Sequence, residues 1–170
     1  MMKNTGLYWY VMTGAWCVHN LEEALTMPAW MREHYDIFFA CLPVSEKMLI
    51  GGFPYAIVIV TALLMIFAYM VAGREWDNRI LAVALGAFAL NSIQHVAVSV
   101  IVRGYSPGVV TALFVNLPLS FYILKRLFRH KLLKNFTWLG VFLYGALALL
   151  AALSVVWLLA LGLYALFRPQ

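Results

Sequence analysis

Five apolar stretches, separated by short polar segments, organise this chain. The first runs from about residue 6 to 25. The second, 53–72, carries no charge over its 20 residues, enough to cross a hydrocarbon core of roughly 30 Å as a helix. The third is 80–102. The fourth, 108–124, is short and contains Pro118. The fifth, 138–167, has no charge over 30 residues. At about 1.5 Å per residue it reaches about 45 Å, so it must tilt or extend into the headgroups. Residues 27–52 read differently. Trp30, Arg32, Glu33, His34, Tyr35, Asp36, Glu46 and Lys47 are scattered among apolar positions. Trp and Tyr favour the membrane interface, which predicts an amphipathic interfacial helix and loop, broken at Pro43 and again near Gly51-Gly52. Such a segment either lies over one face of the bundle as a lid or simply connects two spans.

Composition agrees with the pattern. The chain of 170 residues is 65% hydrophobic and 11% charged, with mean hydropathy +0.88, against roughly a quarter charged residues in a soluble domain. The predicted fold is all-α: one integral membrane helical bundle over 1–170, of about five transmembrane helices, with an interfacial segment after the first. No internal repeat or soluble domain interrupts it. The net charge of +5 does not point to nucleic acid. Its basic residues cluster at Lys125, Arg126, Arg129, Lys131 and Lys134, as in a cytoplasmic membrane-flanking loop. Cys17 and Cys41 have no CxxC spacing, and Cys17 reads as a buried thiol. The first span, interrupted by His19 and two glutamates and flanked only by Lys3, is expected to remain as a helix rather than act as a cleavable leader. With the N-terminus inside, the inner loops hold eight Lys and Arg (Lys3, Arg74, Arg79 and the 125–134 group) and the outer ones four (Arg32, Lys47, Arg103, Arg168). The positive-inside rule therefore favours N-in, C-out. His19, toward the outer end of the first span, and His95, in the outer half of the third, then reach a similar depth.

Ionisable groups at membrane depth are rare and mark functional sites by default. The sequence His19-Asn20-Leu21-Glu22-Glu23 places both glutamates one turn from the histidine, at i+3 and i+4. The two carboxylates diverge by about 100°, so one can enter the bundle while the other orients a ligand or meets water. On the third span Asn91, His95, Ser99 and Arg103 follow at i+4, with Gln94 beside His95, on an otherwise apolar helix. If that stripe faces the first helix, His19, Glu22, Glu23, Asn91 and His95 form one pocket. Two imidazoles with one or two carboxylates suit a divalent metal, zinc or iron, with His19, Glu22, Glu23 and His95 as ligands. A metal-bound water would be a nucleophile at neutral pH. Without a metal, Glu22 or Glu23 serves as acid/base with a histidine partner, and Asn91 orients a ligand. The spacing is not HExxH. The structural alternative makes the glutamates headgroup-level anchors and the remaining polar groups interhelical contacts.

Other polar positions carry less. His34 and His130, flanked by charges, are expected to be solvated. Tyr105-Ser106-Pro107-Gly108 is a turn that walls the outer mouth of the site, with Arg103 meeting an anionic headgroup or snorkelling. Asn116 and Pro118 break up the fourth helix, since Pro118 cannot bond the Phe114 carbonyl.

H-N-L-E-E-A-L at 19–25, followed by Pro28 and Trp30, resembles the HXXEE family of bacterial membrane proteins. N-x-x-x-H at 91–95 and Y-S-P-G-V-V-T-A-L at 105–113 are similar to that family's second and third blocks, in the right order, over roughly residues 10–120. The resemblance implies a multi-span helical protein whose motif residues form a site. It carries onto His19, Glu22 and Glu23 directly, and onto Asn91, His95, Pro107, Gly108 and Thr111 more loosely. It supplies no reaction, and the last helix adds nothing to it.

The expected function is an intramembrane enzyme with a His/Glu site in the outer half of the bilayer. It would hydrolyse or isomerise a lipophilic or lipid-linked substrate, with a divalent metal as the one implied cofactor. Membrane lipids, a second copy of the chain or a membrane partner are the expected company, and nucleic acid is not. A proton-coupled small transporter is a second class, although a chain without an inverted repeat would have to oligomerise to form one. A non-catalytic accessory subunit is a third.

Overall fold

The computed structural model describes residues 5–72 and 78–167. All regular structure among them is helical. The elements are α1 (Thr5–Glu33), a single turn α2 (Tyr35–Phe38), α3 (Glu46–Ala72), α4 (Asn78–Ile101), α5 (Val109–Thr111), a π-helical turn (Ala112–Asn116), α6 (Leu117–Arg129) and α7 (Trp138–Phe167). Four helices are long and apolar enough to cross a membrane: α3, α4, the continuous stretch Val109–Arg129, and α7. Only 17% of the most apolar window of α3 and 11% of that of α7 is buried within the protein, against 44% for α4. Apolar faces left open to this extent belong in lipid, and the protein is an integral membrane helical bundle with α4 at its centre. α1 is the more polar fifth long helix.

Neighbour pairs give the direction of each helix. Along α1, Gly6 abuts the Ala72 carbonyl, Trp9 meets Phe67 and Asn20 bonds Thr61, so α1 and α3 are antiparallel. α7 opposes α3 in turn, with Gly52 at Leu161 and Phe53 at Trp157. α1 and α4 run parallel and in register: Trp16, His19 and Glu23 meet Phe88, Asn91 and His95. Thus α1, α4 and α7 point one way and α3 and α5–α6 the other. The core lies between α1, α4 and α6 around Met12, Leu85, Phe88, Ile123 and Leu127. α7 comes very close to α4. A Cβ on Gly86 would lie 2.6 Å from the Val141 carbonyl oxygen, and one on Gly145 would lie 2.7 Å from the Ala87 nitrogen. Small residues permit this backbone approach where lipid offers no hydrophobic drive between helices.

Several expectations need correction. The break near Gly51-Gly52 is absent: α3 starts at Glu46 and runs through both glycines, which admit Tyr164 and Leu161 of α7. α1 does not stop near residue 25 but continues through Pro28 to Glu33. The interfacial segment is therefore shorter than expected, comprising α2 and the turns to Ser45. The wide π turn ends at Asn116, two residues before Pro118, and accommodates the missing N–H and the ring's demand for space. Of the charges that set the sidedness argument, Lys3, Arg74 and Arg168 lie outside the described residues.

Candidate functional site

The parallel register of α1 and α4 creates the site. At three levels one side chain of α1 meets one of α4: the Trp16 and Phe88 rings lie 4.8 Å apart between centres and tilted by 35°, Asn91 Nδ2 lies 3.2 Å from His19 Nε2, and Glu23 Oε1 lies 3.3 Å from His95 Nε2. The rings of His19 and His95 stand edge to face, 4.8 Å between centres. His19 is fully buried, Asn91 and His95 are nearly so, and Glu22 and Glu23 are partly exposed. Two helices that cross at a low angle and repeat at i, i+3 and i+7 bring such pairs together automatically.

The two glutamates have separate tasks. Glu22 receives four donors from the fourth span and its approach. Oε1 accepts from the Tyr105 hydroxyl (2.9 Å) and the Val110 N–H (3.2 Å), and Oε2 from the Thr111 N–H (2.9 Å) and the Thr111 hydroxyl (2.6 Å). It closes the start of the Val109–Arg129 helix, where free N–H groups need acceptors. The Tyr105 phenol, in the turn, is held above its ordinary range by partial burial and the adjacent carboxylate, so it stays a donor. Because Thr111 gives its hydrogen to Glu22, its oxygen accepts from His19 Nδ1, 2.8 Å away. His19 Nε2 is then the acceptor for the Asn91 amide. Asn91, His19, Thr111 and Glu22 form one directed chain that fixes the His19 tautomer and ring plane.

The turn 102–108 locks onto this chain. The Ser106 hydroxyl donates to the His95 carbonyl (2.9 Å), and Trp30 Nε1 donates to the Tyr105 carbonyl (3.1 Å). Gly108 has φ +81°, a conformation that favours glycine. A Cβ there would lie 2.6 Å from His19 Cε1 and 3.1 Å from the His95 ring. The backbone of the turn is thus a wall against both imidazoles.

Glu23, Asn91 and His95 face a cavity of about 330 Å³ that extends from this wall toward α2, α3 and α7. Its lining is otherwise rich in aromatic groups, among them Trp30, Phe38, Phe39, Phe53 and Trp157. Trp30 and the two phenylalanines of the interfacial segment cover one end, as a lid would. His19 is behind His95 and does not line the cavity. One ligand atom from each of His19, Glu23 and His95 lies within 4.8 Å of the others. The donor types suit a divalent ion, and a tetrahedral shell with bonds of about 2.1 Å needs about 3.4 Å between ligands, so modest side-chain movement would close it. Binding through His19 would displace the Asn91 or Thr111 hydrogen bond.

The profile of the family described as "Protein of unknown function with HXXEE motif" matches residues 10–123. The chain belongs to the HXXEE family. Its motif residues, His19, Glu22 and Glu23, are those that build the site above. The chain is similar to the "Uncharacterized protein YrkK" of Bacillus subtilis (strain 168), with 25% identity over 123 residues that cover 68% of this chain and 72% of the relative. No solved structure matches it.

Within the HXXEE cluster, His19, Glu22, Glu23, Asn91 and His95 converge, but Glu22 points to the Val110–Thr111 backbone and away from the metal-capable group. The i+4 stripe of α4 ends at His95. Ser99 instead donates to the Gly104 carbonyl and ends the helix, and Arg103 is exposed in the turn with φ 51°. Asn116 is fully buried and lines no part of the cavity. His130 is exposed, but His34 stacks on Trp30 at 4.4 Å and is only partly solvated. The reading of residues alone missed Asn20, which holds Thr61, and the roles of Trp16 and Trp157. Asn20 is one residue from His19 and buried, a signal that the charged neighbours eclipsed.

Proposed function

We propose that this protein is an intramembrane acid–base enzyme acting on a lipophilic or lipid-linked substrate held in the aromatic cavity. The Glu23–His95 contact, at the polar end of a cavity otherwise lined by apolar groups, carries the reading. A carboxyl group and an imidazole 3.3 Å apart can hold one proton between them and pass it to or from a bound molecule. Glu23 and His95 exchange the proton, and Asn91, which also lines the cavity, orients the substrate or the ring behind it. His19, Thr111 and Glu22 are positioning residues that keep the pair aligned. Isomerisation fits best: a proton is added at one carbon, another is lost from a second carbon, and no co-substrate enters. Hydrolysis needs a water admitted to the same end. In a bacterial inner membrane with the N-terminus inside, the cavity lies in the outer half of the bilayer.

The test needs no known substrate. Membranes from cells expressing the wild type are incubated in deuterium oxide, and neutral and polar lipids are compared by mass spectrometry with Glu23→Gln and His95→Ala. At least one lipid should gain solvent deuterium only with the wild type. Identical labelling in all three would end the acid–base reading.

The His19, Glu23 and His95 donors support a second reading, metal-assisted hydrolysis. A zinc or iron ion there would polarise the substrate or activate a water. Elemental mass spectrometry of untagged protein decides between them. Near-stoichiometric metal that disappears in a folded His19→Ala/His95→Ala variant would replace acid–base chemistry by metal chemistry. Deuterium labelling by metal-free protein would exclude that replacement.

A further inference from the structure

We propose that the cavity binds a lipophilic cation, an alkyl- or arylammonium group seated between the aromatic wall and Glu23. This rests on the reading of the cavity as the substrate site and names the chemical class it takes. Three observations converge. Among the described residues, no Lys or Arg lines the cavity, whereas one acidic side chain, Glu23, does, in contact with His95. That combination opposes a phosphate or carboxylate ligand and favours a positive or neutral one. Next, the lining holds three tryptophans and three phenylalanines, Trp16, Trp30, Trp157, Phe38, Phe39 and Phe53, contributed by α1, α2 with its following turn, α3 and α7. Aromatic groups arriving from several elements around one carboxylate are the recognition chemistry of ammonium ions, whose charge is attracted to the negative ring faces. Last, the other polar side chains that line the cavity are Asn20, Asn91, Gln94, Ser106 and His95; of these only His95 can be a cation, and only while it holds the proton it shares with Glu23. The volume of about 330 Å³ lies at the small end of ligand pockets, which run from about 300 to 1,000 Å³, and suits a small arylammonium.

The same wall gives the cation a purpose in the proposed reaction. Protonation of a carbon–carbon double bond places a positive charge on the neighbouring carbon. Loss of a proton from the far side of that carbon returns a shifted double bond with no net change in atoms or electrons. A site that holds an ammonium ion would hold that charge too.

The experiment uses full-length protein in nanodiscs of zwitterionic lipid and three probes of similar shape: benzyltrimethylammonium, its uncharged carbon isostere neopentylbenzene, and the anion phenylphosphonate. Tryptophan fluorescence and the thermal midpoint report binding. The cation should bind saturably and about tenfold or more tighter than the isostere, with no binding of the anion. Glu23→Gln and, separately, Trp157→Leu should each abolish the preference for charge while binding of the isostere changes little. The second variant keeps the test decisive if the first fails to fold. Equal affinity for cation and isostere in the wild type, or an unchanged preference in both variants, would overturn the assignment. Deuterium labelling separates this from the enzyme reading: labelling without cation preference leaves the enzyme standing and removes the ligand, and cation preference without labelling does the reverse.

Discussion

Glu22 and Glu23 are neighbours in sequence with identical chemistry, yet one closes a helix and the other lines a cavity. Helical geometry separates them by about 100°, and that much was legible from spacing. Which one turns inward was not, because the donors that hold Glu22 come from Tyr105, Val110 and Thr111, far along the chain. Thr111 is the hinge of this division, as it accepts from His19 and donates to Glu22. Thr111→Val should leave the His19 Nδ1–H without its partner and cost about 1–3 kcal/mol. The thermal midpoint should fall and solvent-deuterium labelling should drop, and Thr111→Ser should restore both. A Val variant as stable and active as wild type would show that His19 needs no fixed tautomer. Gly108 offers a second test. Its φ of +81° costs an L-residue about 1–2 kcal/mol, and the added carbon would press on His19. Gly108→Ala should therefore lose more stability than Gly104→Ala. Gly104 is exposed in the same turn, its φ is not positive and its added carbon meets only the Val102 carbonyl, at 3.7 Å.

At the scale of elements, the apolar runs predicted the helices well because a bilayer imposes both length and composition. The last helix has the bounds its sequence predicts, Trp138–Phe167. Misplaced ends cluster where a breaker residue is tolerated: Pro28 and Pro54 lie inside helices, and Gly51-Gly52 interrupts nothing. Proline is admitted in membrane helices when neighbours satisfy the freed carbonyls, a condition that spacing cannot reveal. The polar stripe on α4 was half right for a similar reason. Asn91 and His95 face α1, but Ser99 is used to end the helix. The close approach of α4 and α7 was illegible, since Gly86 and Gly145 carry no periodic signal. It makes a sharp prediction: Gly86→Leu must push the Val141 backbone away and should cost about 1–3 kcal/mol or more, lowering the thermal midpoint. Gly14→Leu should cost little, because nothing lies within 4 Å of a Cβ there. Similar losses at both positions would mean that α7 does not pack as described.

At the scale of the whole molecule, the alternation of helix directions groups the loops into two sets. The α1–α3 connection, the turn 102–108 and the end of α7 share the cavity side. The beginning of α1 and the α6–α7 connection share the other. Among the described residues the cavity side holds Arg32, Lys47 and Arg103. The opposite side holds Arg79, Lys125, Arg126, Arg129, Lys131 and Lys134. The bias keeps its sign without the three residues that are not described, and by the positive-inside rule we propose that the larger set faces the cytoplasm. Cys41 allows a direct check, being an exposed free thiol in the α1–α3 connection, on the cavity side. In a Cys17→Ser background, a membrane-impermeant maleimide should label Cys41 in intact spheroplasts as fully as in lysed ones. Labelling only after lysis would invert the molecule and bring the cavity to the cytoplasmic leaflet. The outcome also bears on the ligand. The cytoplasmic leaflet is rich in anionic lipid and concentrates lipophilic cations by a Boltzmann factor in its surface potential. An outward-facing cavity has no such supply, so it must draw its ligand from the outer half of the bilayer or the space beyond, and its aromatic wall must provide the affinity by itself.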